Sequence, residues 1–218
     1  MITFKDFLRE ESDPVDAGEF FHREAQPFIN KAAGAGLMYR GFVDTDYIKP
    51  YAKITLPSGK VVDVGITAVR KDRRSRDLPT VAHDAFNTWM KDTFDIDGRT
   101  GSAFVLGEAA EETASGYGYL YVVIPQGEFK YLWSPKVNDL FRTYVNSGIK
   151  DHLHRLTQSG EMDVFQSIVN ATMDTLDYRD TDLPQALQST SEIMVECEYL
   201  LVVYETAEVV AALKEVLK

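Results

Sequence analysis

The sequence predicts an α+β fold, in which strands and helices are mixed without the regular βαβ alternation of a doubly wound sheet. Two observations lead to this prediction. Apolar runs of high β-propensity are separated, at irregular intervals, by segments whose apolar residues recur at helical spacing. Hydrophobic residues make up 44% of the 218 residues, which is ample for a core, so that a disordered chain is excluded.

The first half of the chain is predicted to contain a linker, two helices, a strand and a hairpin. Pro and Gly among polar residues indicate the linker, and a Gly-rich stop ends the first helix. The second helix has Val81, Ala85 and Trp89 at helical spacing. The elements are the linker 11–18, the helix 19–36 with a break at Pro27, the strand 37–43, the hairpin 51–69 and the helix 80–94.

The second half is predicted to alternate short strands with helices. We expect 119–125 and 128–133 to pair around Gln126-Gly127, and 192–204 to be the strongest strand. Thr181 or Asp182 is suited to cap a short helix. The elements are the strand 102–107, the helix 108–118, the strands 119–125 and 128–133, the helical region 136–175 broken near 159–163, the helix 181–189, the strand 192–204 and the helix 207–218.

Composition and motifs exclude several classes of function. The formal charge of −11 argues against general nucleic-acid binding, because neutralising phosphates needs a basic face. The single cysteine, Cys197, excludes an internal disulfide and a cysteine-based zinc site. No apolar run approaches the roughly 20 residues that cross a membrane. The four histidines are scattered, so no metal site is predicted, and the P-loop, Rossmann and nucleophile-elbow motifs are absent.

Three separated segments carry the candidate site residues. In "LMYRGF", Arg40 ends an apolar strand beside Gly41, where a phosphate can approach the backbone and pair with the guanidinium; an exposed strand-end arginine is the simpler explanation. Ser102 begins a strand and Tyr117 ends the next helix, which alone indicates only strand–helix packing. Glu192 starts an apolar strand, either as a solvated residue or as a carboxylate directed into a cleft.

Together these segments resemble the Arg–Ser–Glu triad of the ADP-ribosyltransferase fold. In that family the glutamate is followed by aliphatic residues and then an aromatic residue, as in Glu192-Ile193-Met194-Val195 with Tyr199. The segment "RTGSAFVLG…YGYLYVVIPQGEFKYLWSP" is also similar to phage proteins associated with this fold. The resemblance covers residues 37–204 and implies a split mixed β-sheet core with flanking helices, forming one domain over 11–218.

The resemblance implies that NAD is the substrate. Transfer of ADP-ribose breaks the bond between nicotinamide and ribose through an oxocarbenium-like transition state. Glu192 would hydrogen-bond the ribose 2′-hydroxyl, and Arg40 with Gly41 would bind the diphosphate. Ser102 would brace Glu192, and Tyr117 would stack on nicotinamide. The carboxylate has to be ionised, so we expect its burial to be partial.

The sequence departs from the family pattern in ways that leave the acceptor open. The serine strand reads Gly101-Ser102-Ala103 where the family often has Ser-Thr-Ser, and Thr190 stands where arginine-modifying members carry a second glutamate. NAD hydrolysis, with water as acceptor, is therefore an alternative. A rival Glu-x-Glu, Glu196 and Glu198, lies mid-strand in a register that fits less well, so we prefer Glu192.

Two further segments have two interpretations each. The run 70–76 holds five basic residues in seven and is either a solvated loop or a contact to NAD phosphates or an acidic target.

"MITFKDFLRE" resembles the capsid-targeting peptides of large contractile-tailed phages, with Leu8-Arg9-Glu10 as the cleavage tripeptide; the alternative is a helix docked on its own domain. That resemblance implies a cleavable peptide 1–10, packaging in the virion head interior, and action on a host protein or other acceptor in the host cytoplasm. A non-catalytic internal head protein or host-factor inhibitor on the same fold is the competing hypothesis.

Overall fold

The computed structural model describes residues 13–74 and 77–218, and this part of the chain has the predicted α+β fold. A mixed sheet of nine strands is flanked by helices. The strands are β1 Val15–Asp16, β2 Met38–Phe42, β3 Lys49–Thr55, β4 Val61–Ala68, β5 Ala103–Leu106, β6 Tyr119–Pro125, β7 Lys130–Leu132, β8 Glu192–Glu196 and β9 Tyr199–Tyr204.

The helices vary from five to 15 residues in length. A short 3₁₀ turn, Glu108–Ala110, precedes the fourth helix. The α-helices are α1 Ala17–Glu24, α2 Gln26–Ala32, α3 Thr80–Phe94, α4 Glu111–Ser115, α5 Leu140–Asn146, α6 Ile149–Ser159, α7 Met162–Met173, α8 Leu183–Leu187 and α9 Ala207–Val216.

The sheet consists of two sections that meet between β2 and β5. Its strand order is β1-β3-β4-β9-β6-β2-β5-β8-β7. In the described residues β2 and β5 are joined at one registered pair, Tyr39 with Leu106, whereas β2 and β6 pair over five positions. Beyond Tyr39 the ladder between β2 and β5 therefore stops, and the six-stranded section separates from the three-stranded section.

The helices pack on the sheet in two hydrophobic cores. Apolar residues of α1, α2, α8 and α9 pack on the six-stranded section and continue onto Val105 and Ile193. The helices α3, α5, α6 and α7 form a second core with Leu132 and Met194 of the three-stranded section. Alternate residues of β5 and β8 thus face the two cores, which cover opposite faces of these strands.

Several predicted elements are confirmed. The helix 80–94 is present as Thr80–Phe94, and the hairpin 51–69 is formed by β3 and β4, which pair antiparallel. The helix 19–36 is two helices, because Pro27 lies in the first turn of α2, a position at which proline needs no hydrogen-bond donor. Part of the predicted linker 11–18 forms β1 and the start of α1. The peptide 1–10 lies outside the described residues.

Two predicted strand arrangements are wrong. The segments 119–125 and 128–133 do not pair with each other: β6 pairs with β2 and β9, so both of its edges are occupied, and β7 pairs with β8. The run 192–204 is two strands, β8 and β9, interrupted at Cys197 and placed in different sections of the sheet. Along the described strands the chain thus crosses the split four times, before and after β5, between β6 and β7, and between β8 and β9.

No helix among the described residues is long and apolar enough to cross a membrane.

The packing of α8 on the end of β5 gives a stability prediction. A Cβ added at Gly107 would overlap the carbonyl oxygen of Leu187, a backbone atom. We expect Gly107→Ala to lower the free energy of unfolding by about 1–3 kcal/mol through overpacking, measured by urea denaturation. Gly116→Ala is the control, because its Cβ would lie 3.3 Å from the Thr113 carbonyl oxygen. Equal losses in both variants would contradict this packing.

Candidate functional site

The end of the β2–β5 ladder brings Arg40 and Glu192 into one region. Tyr39 pairs with Leu106, and Leu106 pairs with Glu192. Arg40, the next residue on β2, therefore lies two strand spacings from Glu192, on the order of 10 Å between backbones. The charges of the two side chains act on each other's pKa. The structure thus brings together the two residues whose convergence was expected from the sequence.

Arg40 and Arg73 occupy the edge of β5 where its ladder to β2 has ended. Nη1 of Arg40 donates to the carbonyl oxygen of Phe104 at 3.2 Å, and Nη1 of Arg73 donates to that of Ser102 at 3.0 Å. Carbonyls two residues apart point to the same edge of a strand. The two guanidinium groups therefore donate to backbone carbonyls of β5 that would otherwise accept from a neighbouring strand.

A third arginine, Arg99, also lies against the Phe104 ring. The guanidinium carbon of Arg73 lies 4.3 Å from the centroid of the Phe104 ring, and that of Arg99 lies 4.8 Å from it. Burial, together with the charges of Arg40 and Arg99, lowers the pKa of Arg73 to about 10. Burial also lowers the pKa of Arg40, whereas Glu192 opposes this change. We call Arg40, Arg73 and Arg99 the arginine cluster.

The Glu192 carboxylate faces this cluster without forming a tight ion pair. Its Oε2 lies 4.0 Å from Nη1 of Arg99, and its side chain is 31% exposed. Burial raises the pKa of Glu192 to about 7, and the nearby Asp139 raises it further, whereas Arg99, Arg73 and Arg40 lower it. The carboxyl group therefore changes its ionisation near neutral pH.

The Arg99 side chain has hydrogen-bonding capacity that the described residues leave unused. It is only 14% exposed, and its Nε is buried without a hydrogen-bond partner among them. Its backbone is fixed, because the Arg99 N–H donates to Oδ1 of Asn87 at 2.9 Å. A buried donor without an acceptor costs free energy, and a ligand that supplies the acceptor removes this cost. An anionic oxygen is the strongest acceptor.

Tyr178 and Asp139 are near enough to Glu192 for their electrostatic interaction with it to matter. Tyr178 is buried, and burial together with Glu192 raises the pKa of its phenol, so that it remains neutral. Asp139 caps α5 by accepting from the N–H of Phe141 at 2.8 Å. Asp139 also lines an open polar groove of about 420 Å³ along α5.

Ser102 does not brace Glu192, contrary to the expectation from the sequence. Its hydroxyl donates to the carbonyl oxygen of Asp97 at 3.1 Å, and the residue is fully buried. Ala103 pairs with Val195, so Ser102 stands at the opposite end of the β5–β8 ladder from Glu192. Ser102 contributes to the site through its backbone carbonyl, which holds Arg73.

Gly41 and Tyr117 are also placed differently from the expectation. A Cβ at Gly41 would overlap the carbonyl oxygen of Ala114 and lie 2.9 Å from Cβ of Tyr117, so the protein itself fills the space expected for a phosphate. Successive side chains of a strand point to opposite faces. Tyr117 therefore approaches β2 from the face opposite to the Arg40 side chain, and its ring is exposed.

The rival acid Glu196 is engaged elsewhere. Its Oε2 accepts from the N–H of Asp97 at 2.8 Å, at the opposite end of β8 from Glu192. Glu198 follows β8 and is exposed. Of these three glutamates, Glu192 is the one that faces the cluster.

Sequence reasoning missed part of this site. Arg99, Phe104, Tyr178 and Asp139 come from separate segments and belong to no motif, so no sequence pattern points to them. Arg73 lies in the basic run 70–76, whose described residues 70–74 form a loop that bonds to Thr100 through the Arg73 N–H. The interpretation of that run as a phosphate contact is the signal that pointed toward Arg73.

Metal binding finds no support in the described part of the chain. Within residues 13–74 and 77–218, no group of three His, Cys, Asp or Glu side chains is placed to hold an ion. The buried His83 is engaged with Asp84 and with the Arg99 carbonyl oxygen.

No protein-family model, curated protein or solved structure matches this chain.

The raised pKa of Glu192 predicts a specific pH dependence of stability. A carboxyl whose pKa is raised on folding contributes stability below its unfolded pKa of about 4.5, and this contribution is lost as pH rises through about 7. Glu192→Gln keeps a neutral group at all pH values. We therefore expect the variant to gain stability relative to the native protein between pH 4.5 and 7, on the order of 2 kcal/mol, with a plateau above.

The measurement is urea denaturation across this pH range, with Glu112→Gln, an exposed glutamate of α4, as the control for removing a solvated carboxylate. A stability difference between Glu192→Gln and the native protein that stays constant with pH would contradict the burial of this carboxyl.

Proposed function

We propose that this protein is an NAD-dependent ADP-ribosyltransferase whose site is the arginine cluster and Glu192. The observation that carries the proposal is the convergence of three guanidinium groups and one carboxylate at the split of the sheet. The split mixed sheet with flanking helices also agrees with the ADP-ribosyltransferase-like arrangement that the sequence motifs resemble.

The arginine cluster suits the diphosphate of a dinucleotide. Two negative charges on adjacent phosphates match guanidinium groups, which bind phosphate oxygens in pairs of hydrogen bonds. Arg40 and Arg73 are held by backbone carbonyls through Nη1, which leaves their other donors for a ligand. Nε of Arg99 supplies a further buried donor. A diphosphate in this position would also offset the repulsion among the three cations.

Glu192 suits the ribose end of NAD. Cleavage of the nicotinamide–ribose bond develops positive charge on the sugar, and a nearby carboxylate stabilises that charge. Its pKa of about 7 means that the ionised form increases as pH rises through neutrality. A bound nicotinamide cation would favour the ionised form further. The nearby Tyr178 is a neutral buried phenol and adds no charge to the site.

A specific observation also favours a non-catalytic role. Arg40 and Arg73 both donate to backbone carbonyls of β5, so they would stabilise the split of the sheet even without a ligand. In that case the fold would serve as a binding scaffold, such as an internal head protein or a host-factor inhibitor. Packaging in a phage head is proposed from the resemblance of residues 1–10 alone.

Nicotinamide release from NAD separates the two functions. We expect the purified native protein to release nicotinamide, and Glu192→Gln to reduce the rate by about 10²-fold or more, because charge stabilisation of this kind contributes several kcal/mol. Glu198→Gln is the matched control, an exposed glutamate two residues beyond β8, with a rate expected within about twofold of native.

Background rates that are equal in the native protein and Glu192→Gln would reject the enzymatic proposal and favour the scaffold. Transfer of labelled ADP-ribose to proteins of a bacterial lysate then distinguishes a transferase from an NAD hydrolase, in which water is the acceptor.

A further inference from the structure

An open aromatic surface lies on the sheet beside Arg40. Its rings belong to Phe42 of β2, Tyr119 and Tyr121 of β6, and Tyr204 of β9, which we call the tyrosine platform. Tyr121 is registered with both Arg40 and Tyr204, and Tyr119 is registered with Phe42. Registered residues on neighbouring strands share a face of the sheet. The four rings and the Arg40 side chain therefore lie on the same face.

The rings of the tyrosine platform support one another while remaining accessible. Phe42 and Tyr121 are 5.4 Å apart at 85°, and Tyr121 and Tyr204 are 5.3 Å apart at 77°, both edge to face. Tyr119 is 61% exposed and Tyr204 is 53% exposed. A contiguous exposed aromatic surface of this kind usually marks a binding site.

The platform already binds one cation within the protein. The guanidinium carbon of Arg40 lies 5.3 Å from the centroid of the Phe42 ring. The faces of aromatic rings carry negative charge density, so they attract guanidinium and ammonium groups. The ring of Tyr204 is exposed in the same row of residues.

Carboxylates flank the platform on two sides. Asp44 and Asp46 are exposed in the loop that follows β2. Asp63 precedes Val64, which pairs with Val203, so Asp63 stands opposite Tyr204.

The neighbouring lysines do not neutralise these carboxylates fully. Nζ of Lys49 donates to the backbone carbonyl of Asp46 at 2.9 Å, and Lys53 is registered with Asp63. In this described part of the surface Asp44, Asp46 and Asp63 thus outnumber Lys49 and Lys53, in a chain whose formal charge is −11. The loop after β2 and the β4 side of the platform are therefore negative, whereas its Arg40 side is positive.

We propose that the tyrosine platform docks a cationic segment of a partner protein, whose Arg or Lys side chains lie on the exposed tyrosine rings. Single-stranded nucleic acid also stacks on aromatic side chains, but a strand running across the platform away from Arg40 would bring its phosphates against Asp44, Asp46 and Asp63. A segment docked here lies beside Arg40, so the partner is a candidate acceptor of ADP-ribose. That last link rests on the proposed function, whereas the docking does not.

Fluorescence anisotropy with a short labelled peptide of alternating Arg and Ser tests the docking. We expect the native protein to bind this peptide, more weakly at high salt, and not to bind the matched peptide of Glu and Ser or an oligothymidylate of similar length. Tyr204→Leu and Tyr119→Leu should weaken binding about threefold to tenfold, as loss of a cation–π contact implies. Tyr204→Phe keeps the ring and should retain the affinity.

Phe141→Leu is the control, because Phe141 is a partly exposed aromatic residue of α5 outside the platform. Absence of binding, preference for the oligothymidylate, or equal affinities of Tyr204→Leu and Tyr204→Phe would each overturn the proposal. Nicotinamide release is measured on the same variants. A variant that loses peptide binding but keeps its rate of nicotinamide release is defective in docking alone. If the native protein releases no nicotinamide, the proposed function is rejected and the docking proposal is unaffected.

Discussion

The end of the ladder between β2 and β5 is the constraint on which the candidate site depends. Where the two strands separate, the carbonyls of Ser102 and Phe104 face an edge without a strand, and buried carbonyls need donors. Arg73 and Arg40 supply them. Stabilising the split therefore places two guanidinium groups at this edge, one strand away from Glu192. A structural requirement of the sheet creates the charged site.

The charges of the site are left unbalanced by the protein. Three partly or largely buried guanidinium groups face one carboxyl with a pKa of about 7, and the closest approach of that carboxyl to Arg99 is 4.0 Å. Buried charge without a close partner costs free energy, and an anionic ligand would offset this cost. The tyrosine platform next to it has the opposite character, with aromatic rings and carboxylates. One surface thus suits an anion and its neighbour suits a cation.

Local patterns in the sequence predicted local structure well and long-range pairing poorly. The helical spacing in Thr80–Phe94 and the turn within the β3–β4 hairpin are properties of short segments. The run 192–204 resembles one strand because both of its halves are apolar, and only tertiary pairing separates β8 from β9. Arg40 and Glu192 were found through a family resemblance. The direction of the Ser102 hydroxyl and the approach of Arg99 depend on contacts between distant segments, which no spacing reveals.

A crystal structure of the protein with NAD bound tests the central claim most directly. The account predicts that the diphosphate contacts Arg40, Arg73 and Arg99, and that a carboxylate oxygen of Glu192 lies about 3 Å from the 2′-hydroxyl of the nicotinamide ribose. NAD bound away from the β2–β5 split, or a ribose facing another carboxylate, would contradict it.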